Sequence, residues 1–286
     1  MNLNLENITF IIVTFNSEKV IYDCIDSLPK DSNKIIIENS KNINLKNDLE
    51  LKYDNIEVLL SENLGMGASN NIGIKKANTQ FVYVLNPDVK FEETTFEKIK
   101  ISSKKIEDFA ILSPIHNNKN FPNYKIYNTD LNINGNIIDV DSIDGFSMII
   151  NKKKFKDHIF FDENIFLFLE NDDLCLRAKK NGDNLYIIKD SLIDHLGASS
   201  TKTTENDNIT YLRNWHWMWS KFYFNKKHYG YLNAFIKNFP SLISSNIKFF
   251  YYFIIFNSYK KKIYQMRFMG LLNSMLGKKS FYRPDI

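Results

Sequence analysis

Four short runs rich in β-branched and aromatic residues, 8–15, 34–37, 56–60 and 81–85, set the tightest limit on how this chain folds. Runs of this length and composition form strands buried on both faces. Between the first two, Val20, Ile21, Cys24, Ile25 and Leu28 recur at helical spacing, with Pro29 just beyond. A second helix is expected over residues 68–77, entered through the loop Glu62-Asn63-Leu64-Gly65-Met66-Gly67. The expected order, β-α-β-β-α-β, predicts an α/β fold whose mostly parallel sheet carries helices on both faces. Ligands bind such sheets beyond the carboxyl ends of the strands. Asn16, Glu38 and Asp88 all fall at such ends.

With 286 residues, 44% of them hydrophobic, the chain can build a substantial core and is not a disordered protein. Its two cysteines, Cys24 and Cys175, are too few for a disulfide framework and fit a reducing compartment. Both fall on apolar helical faces and are expected in the core. The first apolar run is short and lacks a basic flank, so it reads as a strand and not as a signal peptide.

The net charge of +4 hides an asymmetry. Residues 221–286 carry twelve Lys and Arg against one acid, Asp285, whereas residues 1–220 hold 25 basic and 32 acidic groups. This split predicts an acidic catalytic domain over 1–220 and a basic, aromatic, helical region over 221–286 that meets an anionic surface. Within that region Pro240 is expected to divide two helical stretches. Residues 249–256 carry no charge and are bracketed by Lys248 and Lys260-Lys261-Lys262. Eight residues fall far short of the ~20 that span a bilayer. The run is too apolar for a nucleic-acid surface and suits an interfacial helix, or else packing on the catalytic domain or in a dimer.

The middle of the chain is less regular. Residues 111–136, rich in Asn, Pro and Tyr, read as loop or short strands, and 147–150 as a strand. A helix is expected from about Glu170 to Asn181, stopping at Gly182, followed by a strand over 185–188.

Asn86-Pro87-Asp88 follows a buried strand directly, and a carboxylate there is costly to desolvate unless it is paired. Mg²⁺ or Mn²⁺ carrying a diphosphate would pair it, because these ions take carboxylate and phosphate oxygens. A turn in which Asp88 caps the next element explains the same residues. The loop 62–71 would likewise serve either as a tight turn or as a ligand contact. Glu170-Asn171-Asp172-Asp173 places acids at a helix start, where they complement the helix dipole. Glu170 follows an apolar run, and partial burial would suit it to general-base work. Arg177, four residues after Asp173, fits a helical ion pair. His195 is a candidate second metal ligand. His116, His158, His216 and His228 have no neighbours in sequence that single them out. No Ser or Cys has a His/Asp pairing that indicates nucleophilic catalysis.

Taken in order, Val13-Thr14-Phe15-Asn16, Glu38-Asn39-Ser40, Asn63-x-Gly65-x-Gly67-x-x-x-Asn71 and Leu85-Asn86-Pro87-Asp88 resemble the inverting family 2 glycosyltransferases. So do Asp144-Gly145, Phe161-Asp162-Glu163, Glu170-x-x-Asp173-Leu174-Cys175-x-Arg177 and Asp194-His195-Leu196-Gly197. The likeness covers about residues 8–225 and is nearest to the bacterial rhamnosyltransferase-like branch.

The resemblance implies a GT-A fold, Rossmann-like, with a C-terminal helical extension. It implies a nucleotide-sugar donor, dTDP-rhamnose or a UDP-sugar, used in cell-surface polysaccharide (O-antigen) synthesis. By motif position Thr14, Phe15, Asn16 and Glu38 would hold the nucleoside, with Asn63, Gly65, Gly67, Asn71 and Asn86 completing the donor site. Asp88 and His195 would ligate Mg²⁺ or Mn²⁺. Glu170, Asp172 and Asp173 would supply the base, with Glu170 favoured, because the family's usual base position is Asn171 here and an amide cannot take the proton. Glu38 likewise stands where Asp is usual. The acceptor implied is a glycan or lipid-linked saccharide, and the location is cytoplasmic, peripheral on the inner face of the membrane. The alternatives are an inactive relative that binds nucleotide sugar as a scaffold and, less favoured, a nucleotidyltransferase.

Overall fold

The computed structural model describes residues 1–127, 133–155, 159–197 and 207–284. His158, Asp285 and the residues after Gly197 up to Asp207, together with part of the irregular stretch near 130, lie outside the described residues. By packing, the chain divides into two units: Met1–Asp162 with Asn171–Lys202, and Glu163–Glu170 with Thr203–Ile286.

The first unit opens as an alternating series: β1 (Ile8–Thr14), α1 (Ile21–Ser27), β2 (Asn33–Glu38), α2 (Ile43–Lys52), β3 (Ile56–Leu60), α3 (Met66–Lys76) and β4 (Phe81–Leu85). The four strands are parallel, in the order β3-β2-β1-β4. Thr14 pairs with Glu38 and Ile12 with Leu85, so their carboxyl ends share one sheet edge. Alternation along β1 sends Ile8, Phe10 and Ile12 into a core under α1, α2 and α4 (Thr95–Ser103), and Ile11 and Val13 into a second core under α3 and α5 (Glu170–Lys180). Helices therefore cover both faces, as the buried strands require.

The chain continues through β5 (Val89–Phe91), β6 (Ile111–His116), β7 (Tyr124–Lys125), β8 (Ile133–Asn134), β9 (Ile137–Asp139), β10 (Ser142–Ile143), β11 (Ser147–Asn151) and β12 (Leu185–His195), of which β7 and β10 form a separate two-stranded sheet and the rest extend the main one. Beyond β4 the order is β11-β6-β12-β9-β8, while β5 pairs β12 and β7 pairs β10. β11 runs antiparallel to β4, so the sheet is mixed.

Two local expectations need correction. Residues 43–52, given no helix by the sequence, form α2. Only Leu45 and Leu49 of this helix are buried and Leu51 is fully out in solvent, so its apolar spacing is weak. The Asn42 side chain starts it by accepting from Leu45 N at 3.0 Å. The expected strand at 185–188 is the first third of β12. It runs on to His195 through an irregularity between Ile188 and Leu192, where exposed Lys189 and half-buried Asp190 break the apolar run.

The second unit holds α6 (Asp207–Tyr229), α7 (Tyr231–Ile254) and α8 (Ser258–Met275). Pro240 lies inside α7 and does not divide it. An interior proline costs ~3 kcal/mol, but Pro240 is exposed, and buried Ala234, Asn238 and Ser245 anchor the helix on both sides of it. α6 and α8 meet closely at Gly270, where a Cβ would lie 2.2 Å from the Trp215 carbonyl oxygen. His216 donates from Nε2 to Tyr282 O at 2.8 Å and accepts from Ser280 at Nδ1, which pins the tail to α6. Burial lowers its pKa to about 3, so the ring stays neutral.

On the first unit's second core, Gly73 of α3 faces Ile11 so closely that a Cβ would lie 2.6 Å from Ile11 Cγ2. Gly73→Ala will therefore lower the unfolding free energy by about 1–3 kcal/mol, despite alanine's better helix propensity, as read by urea denaturation. Unchanged stability would mean that α3 does not approach β1 this closely.

Candidate active site

β4 ends at Leu85, and the turn Asn86-Pro87-Asp88 delivers Asp88 to the carboxyl edge of the sheet. The turn is fixed by Asn86 N donating to Phe146 O at 3.0 Å and Val89 N to Asn86 O at 3.2 Å. Asp88 is 3% exposed, and neither carboxylate oxygen has a hydrogen-bond partner. Antiparallel pairing of β5 with β12 sets Val89 opposite His195, and Leu196 N donates to Asp88 O. This register brings His195 Nε2 to 3.3 Å from Asp88 Oδ1 although the two residues are far apart in sequence. Phe146 stacks on the His195 ring, centroids 4.0 Å apart and planes within 12°, and fixes its plane.

Sequence reasoning passed over several neighbours of this pair. His116, at the end of β6, is buried with Nε2 4.0 Å from Asp194 Oδ1, and its ring meets both Phe146 and His195 edge-on. Asp144 completes the group. Desolvation raises its pKa, and the Asp172 charge adds to the rise, whereas Lys125, His195 and His116 oppose it. Of these neighbours only the Asp144-Gly145 step carried a sequence signal, since Phe146 and His116 have no distinctive context.

The residues expected from the sequence to hold the nucleoside include the ends of β1 and β2 at the same edge. Thr14 is buried, and Asn16 closes β1 in a left-handed conformation (φ 51°) that Asn tolerates. Phe15 N donates to Ser17 Oγ at 3.2 Å. Glu38 is fully buried and turned onto its own loop, accepting from Ser40 N and Oγ through one oxygen and from Asn42 N through the other. Asn39 and Ser69 exchange hydrogen bonds of 2.8 and 3.0 Å, which tie the end of β2 to α3. Gly65, at φ 94°, caps α3 in a conformation closed to other residues, with Asn63 Oδ1 accepting from its N–H. Gly67 is buried in the first turn of α3. Asn71 exchanges two hydrogen bonds with the Phe161 backbone, at 2.9 and 3.0 Å, so its amide braces the fold.

The acids at the start of α5 separate by role. Asp173 is fully buried and paired with Arg177 Nε at 2.9 Å, as the i,i+4 spacing predicts. Asp172 Oδ1 accepts from Lys125 Nζ at 2.9 Å and from Ser142 Oγ at 2.8 Å. Asn171 donates to Ile143 O at 3.0 Å, and a Cβ on Gly145 would lie 3.2 Å from Asn171 Cβ. The Asn171 amide thus does a structural job. Glu170, the first residue of α5, belongs to the second unit. It is preceded by Phe168 and Leu169, both at φ 69°, a left-handed pair costing of order 1–3 kcal/mol per residue in non-glycine backbone. Such strain persists where the surroundings over-determine it. Here Phe168 meets Trp217 edge-on and Leu167 O accepts from Ser220 Oγ at 2.8 Å.

Cys24 and Cys175 are buried, and desolvation pushes both thiols up, Cys175 to about 12. Neither acts as a thiolate.

A Rossmann-like parallel half-sheet extended by antiparallel strands, with its polar site at the carboxyl edge, is the GT-A fold of nucleotide-sugar transferases. Residues 9–175, more than half of the chain, match the family Glycosyl transferase family 2, and the protein belongs to that family. Among solved structures it is similar to S. aureus TarS 1-349, with a TM-score of 0.52, 15% identity, and coverage of 98% of this chain and 94% of that one. The same fragment in complex with UDP gives a TM-score of 0.50 at 14% identity, with the same coverage. GalNAc-T7 with UDP, GalNAc and Mn²⁺ gives 0.54 at 13% identity, covering 73% of this chain and 50% of that one. The chain spans 39% of the longer TarS structure. No curated protein matches the sequence.

Asp88 and His195 suit a divalent cation, since one offers two buried, unbonded oxygens and the other an imidazole nitrogen. Among the described residues no group of three or more His, Cys, Asp or Glu side chains forms a cage. Two protein ligands with the rest of the shell from phosphate and water is the usual arrangement for Mg²⁺ with a nucleotide.

A raised carboxyl pKa means that the fold favours neutral Asp144. Its contribution to stability is therefore present at acid pH and is lost as pH rises through the folded value. Asp144→Asn will raise the melting temperature at pH 7, and the gain will vanish toward pH 3. A variant less stable than the parent at pH 7 would contradict this reading.

Proposed function

We propose that the protein is a metal-dependent inverting glycosyltransferase. It moves a sugar from a nucleoside diphosphate, dTDP-rhamnose or a UDP-sugar, to a hydroxyl of a glycan or lipid-linked saccharide. The reaction serves cell-surface polysaccharide assembly at the inner face of the cytoplasmic membrane. The observation that carries this reading is the Asp88 carboxylate, buried and unbonded 3.3 Å from His195 at the ligand-binding edge of the sheet.

In this reading Thr14, Phe15 and Asn16 flank the nucleoside, and Glu38 shapes that wall by holding the 39–42 loop. Asn63, Gly65 and Gly67 bring the backbone at the start of α3 up to the donor, Asn86 joins them, and Asn71 holds α3 in place. A cation held by Asp88 and His195 would supply charge neutralisation to the departing diphosphate. Glu170 takes the proton of the acceptor hydroxyl. That oxygen bonds to the anomeric carbon as the bond from carbon to phosphate oxygen breaks on the opposite face. Asp172 is held by Lys125 and Asp173 by Arg177, so both are occupied in ion pairs.

Asn171 motivates a second reading, a relative that binds nucleotide sugar as a scaffold without turnover. A donor panel separates the two. UDP- and dTDP-sugars are screened by thermal shift with and without Mn²⁺, and stabilising donors are assayed for transfer or hydrolysis by mass spectrometry. The proposal expects Mn²⁺-dependent stabilisation by one donor class, loss of it in Asp88→Asn, and turnover. Glu170→Gln should lower kcat by ~10²–10⁴-fold, the range for a lost general base, and leave donor binding intact. Tight binding without turnover across the panel would favour the scaffold. Activity indifferent to Asp88→Asn and to chelator would remove the metal from the account.

A further inference from the structure

α7 carries a long apolar stripe on its exposed side. The residues it buries against its own unit are small or polar: Ala234, Asn238 and Ser245. Phe235 and Leu242 also pack, partly buried, against that unit's core, but most of its large apolar residues point outward. Leu232, Ile236, Ile243, Ile247, Phe250 and Ile254 fall on one stripe at helical spacing, and all are exposed, Leu232 and Ile254 to 70%. The stripe runs the length of a 24-residue helix, about 36 Å at 1.5 Å per residue. Phe256, 92% exposed, extends it past the helix end. An apolar surface of this extent on a folded unit marks an interaction site.

The charge around the stripe identifies what covers it. From Asn208 to Pro284 the chain has thirteen Lys and Arg and no Asp or Glu. Lys237 and Lys248, both exposed, lie three turns apart on one flank of the stripe, and Lys260, also exposed, follows just beyond the helix. Their ammonium groups sit over aromatic rings: Lys237 over Tyr229 at 5.8 Å, Lys248 over Tyr264 at 5.2 Å, and Lys260 over Tyr252 at 5.4 Å. Apolar side chains bordered by tyrosines and lysines match the acyl boundary, headgroup level and anionic surface of a bilayer. A nucleic acid has no use for an uncharged stripe. A second copy would set one acid-free cationic surface against another. No helix among the described residues is long and apolar enough to cross a membrane, so α7 lies along the surface.

We propose that α7 docks the protein on an anionic lipid bilayer, with its outward stripe in the acyl boundary and Lys237, Lys248 and Lys260 among the headgroups. This deepens the membrane location proposed above. Its test reads lipid binding and no transfer, so the two readings fail separately.

The full chain is co-sedimented with vesicles of phosphatidylcholine alone and with vesicles of equal parts phosphatidylcholine and phosphatidylglycerol. Binding should be at least about tenfold tighter to the anionic vesicles and weaken as salt rises. Ile247→Asp with Phe250→Asp should lower binding at least about tenfold. Lys237→Glu with Lys248→Glu should erase the lipid preference. These side chains are exposed, and an unchanged circular dichroism spectrum checks that the variants fold. Absence of binding to either vesicle, or binding untouched by both pairs of substitutions, overturns the proposal. So does a dimer in light scattering that Ile247→Asp with Phe250→Asp dissociates, which would give the stripe to a second copy.

Discussion

The Asp88 carboxylate, buried at the end of β4 with both oxygens unbonded, is the constraint that organises the first unit. Removing a carboxylate from water without hydrogen bonds costs several kcal/mol, and no turn or cap needs it here. The main chain around it is already satisfied, since Asn86 N, Val89 N and Leu196 N all have partners. The nearest partner that the protein itself gives this side chain is His195, whose Nε2 lies 3.3 Å from Oδ1. β5 and β12 support this by register, placing His195 beside it, and Phe146 holds the imidazole plane.

The rest of the site follows from the parallel half of the sheet. Because β1, β2 and β4 run in one direction, Thr14, Glu38 and Leu85 end on one edge, and the turns after them share one space. The polar residues there divide into two groups. Glu38, Asn39, Ser69, Asn71, Asn171 and Asp173 are spent on holding loops and helix ends. Asp88, His195, Asp144 and His116 are gathered near the Phe146 ring, with burial raising the Asp144 pKa.

Much of this was legible in the sequence wherever the chain speaks locally. The four apolar runs became β1 to β4 within one or two residues, most sharply in β1 and β4, which are buried at every position. The Asn-Pro-Asp turn, the Asp173–Arg177 pair and the buried cysteines were likewise readable from neighbours in the chain. α2 was not, since only Leu45 and Leu49 are buried and tertiary packing completes the helix. Pro240 misled because its cost is set by the exposed position it occupies and by the packing on either side. His116 and Phe146 had no local signal, because their place in the site is created by pairing between β6, β11, β12 and β4. The exposure of the α7 stripe was equally hidden, as periodicity shows a stripe but not which side of it meets solvent.

The most direct test of the central claim is a crystal of the protein grown with UDP and Mn²⁺, with anomalous data collected at the manganese edge. The account predicts a single strong peak in coordination contact with Asp88 and His195 Nε2, bridged to the diphosphate. UDP bound with the peak elsewhere, or with no peak and the Asp88 carboxylate still unpartnered, would contradict it.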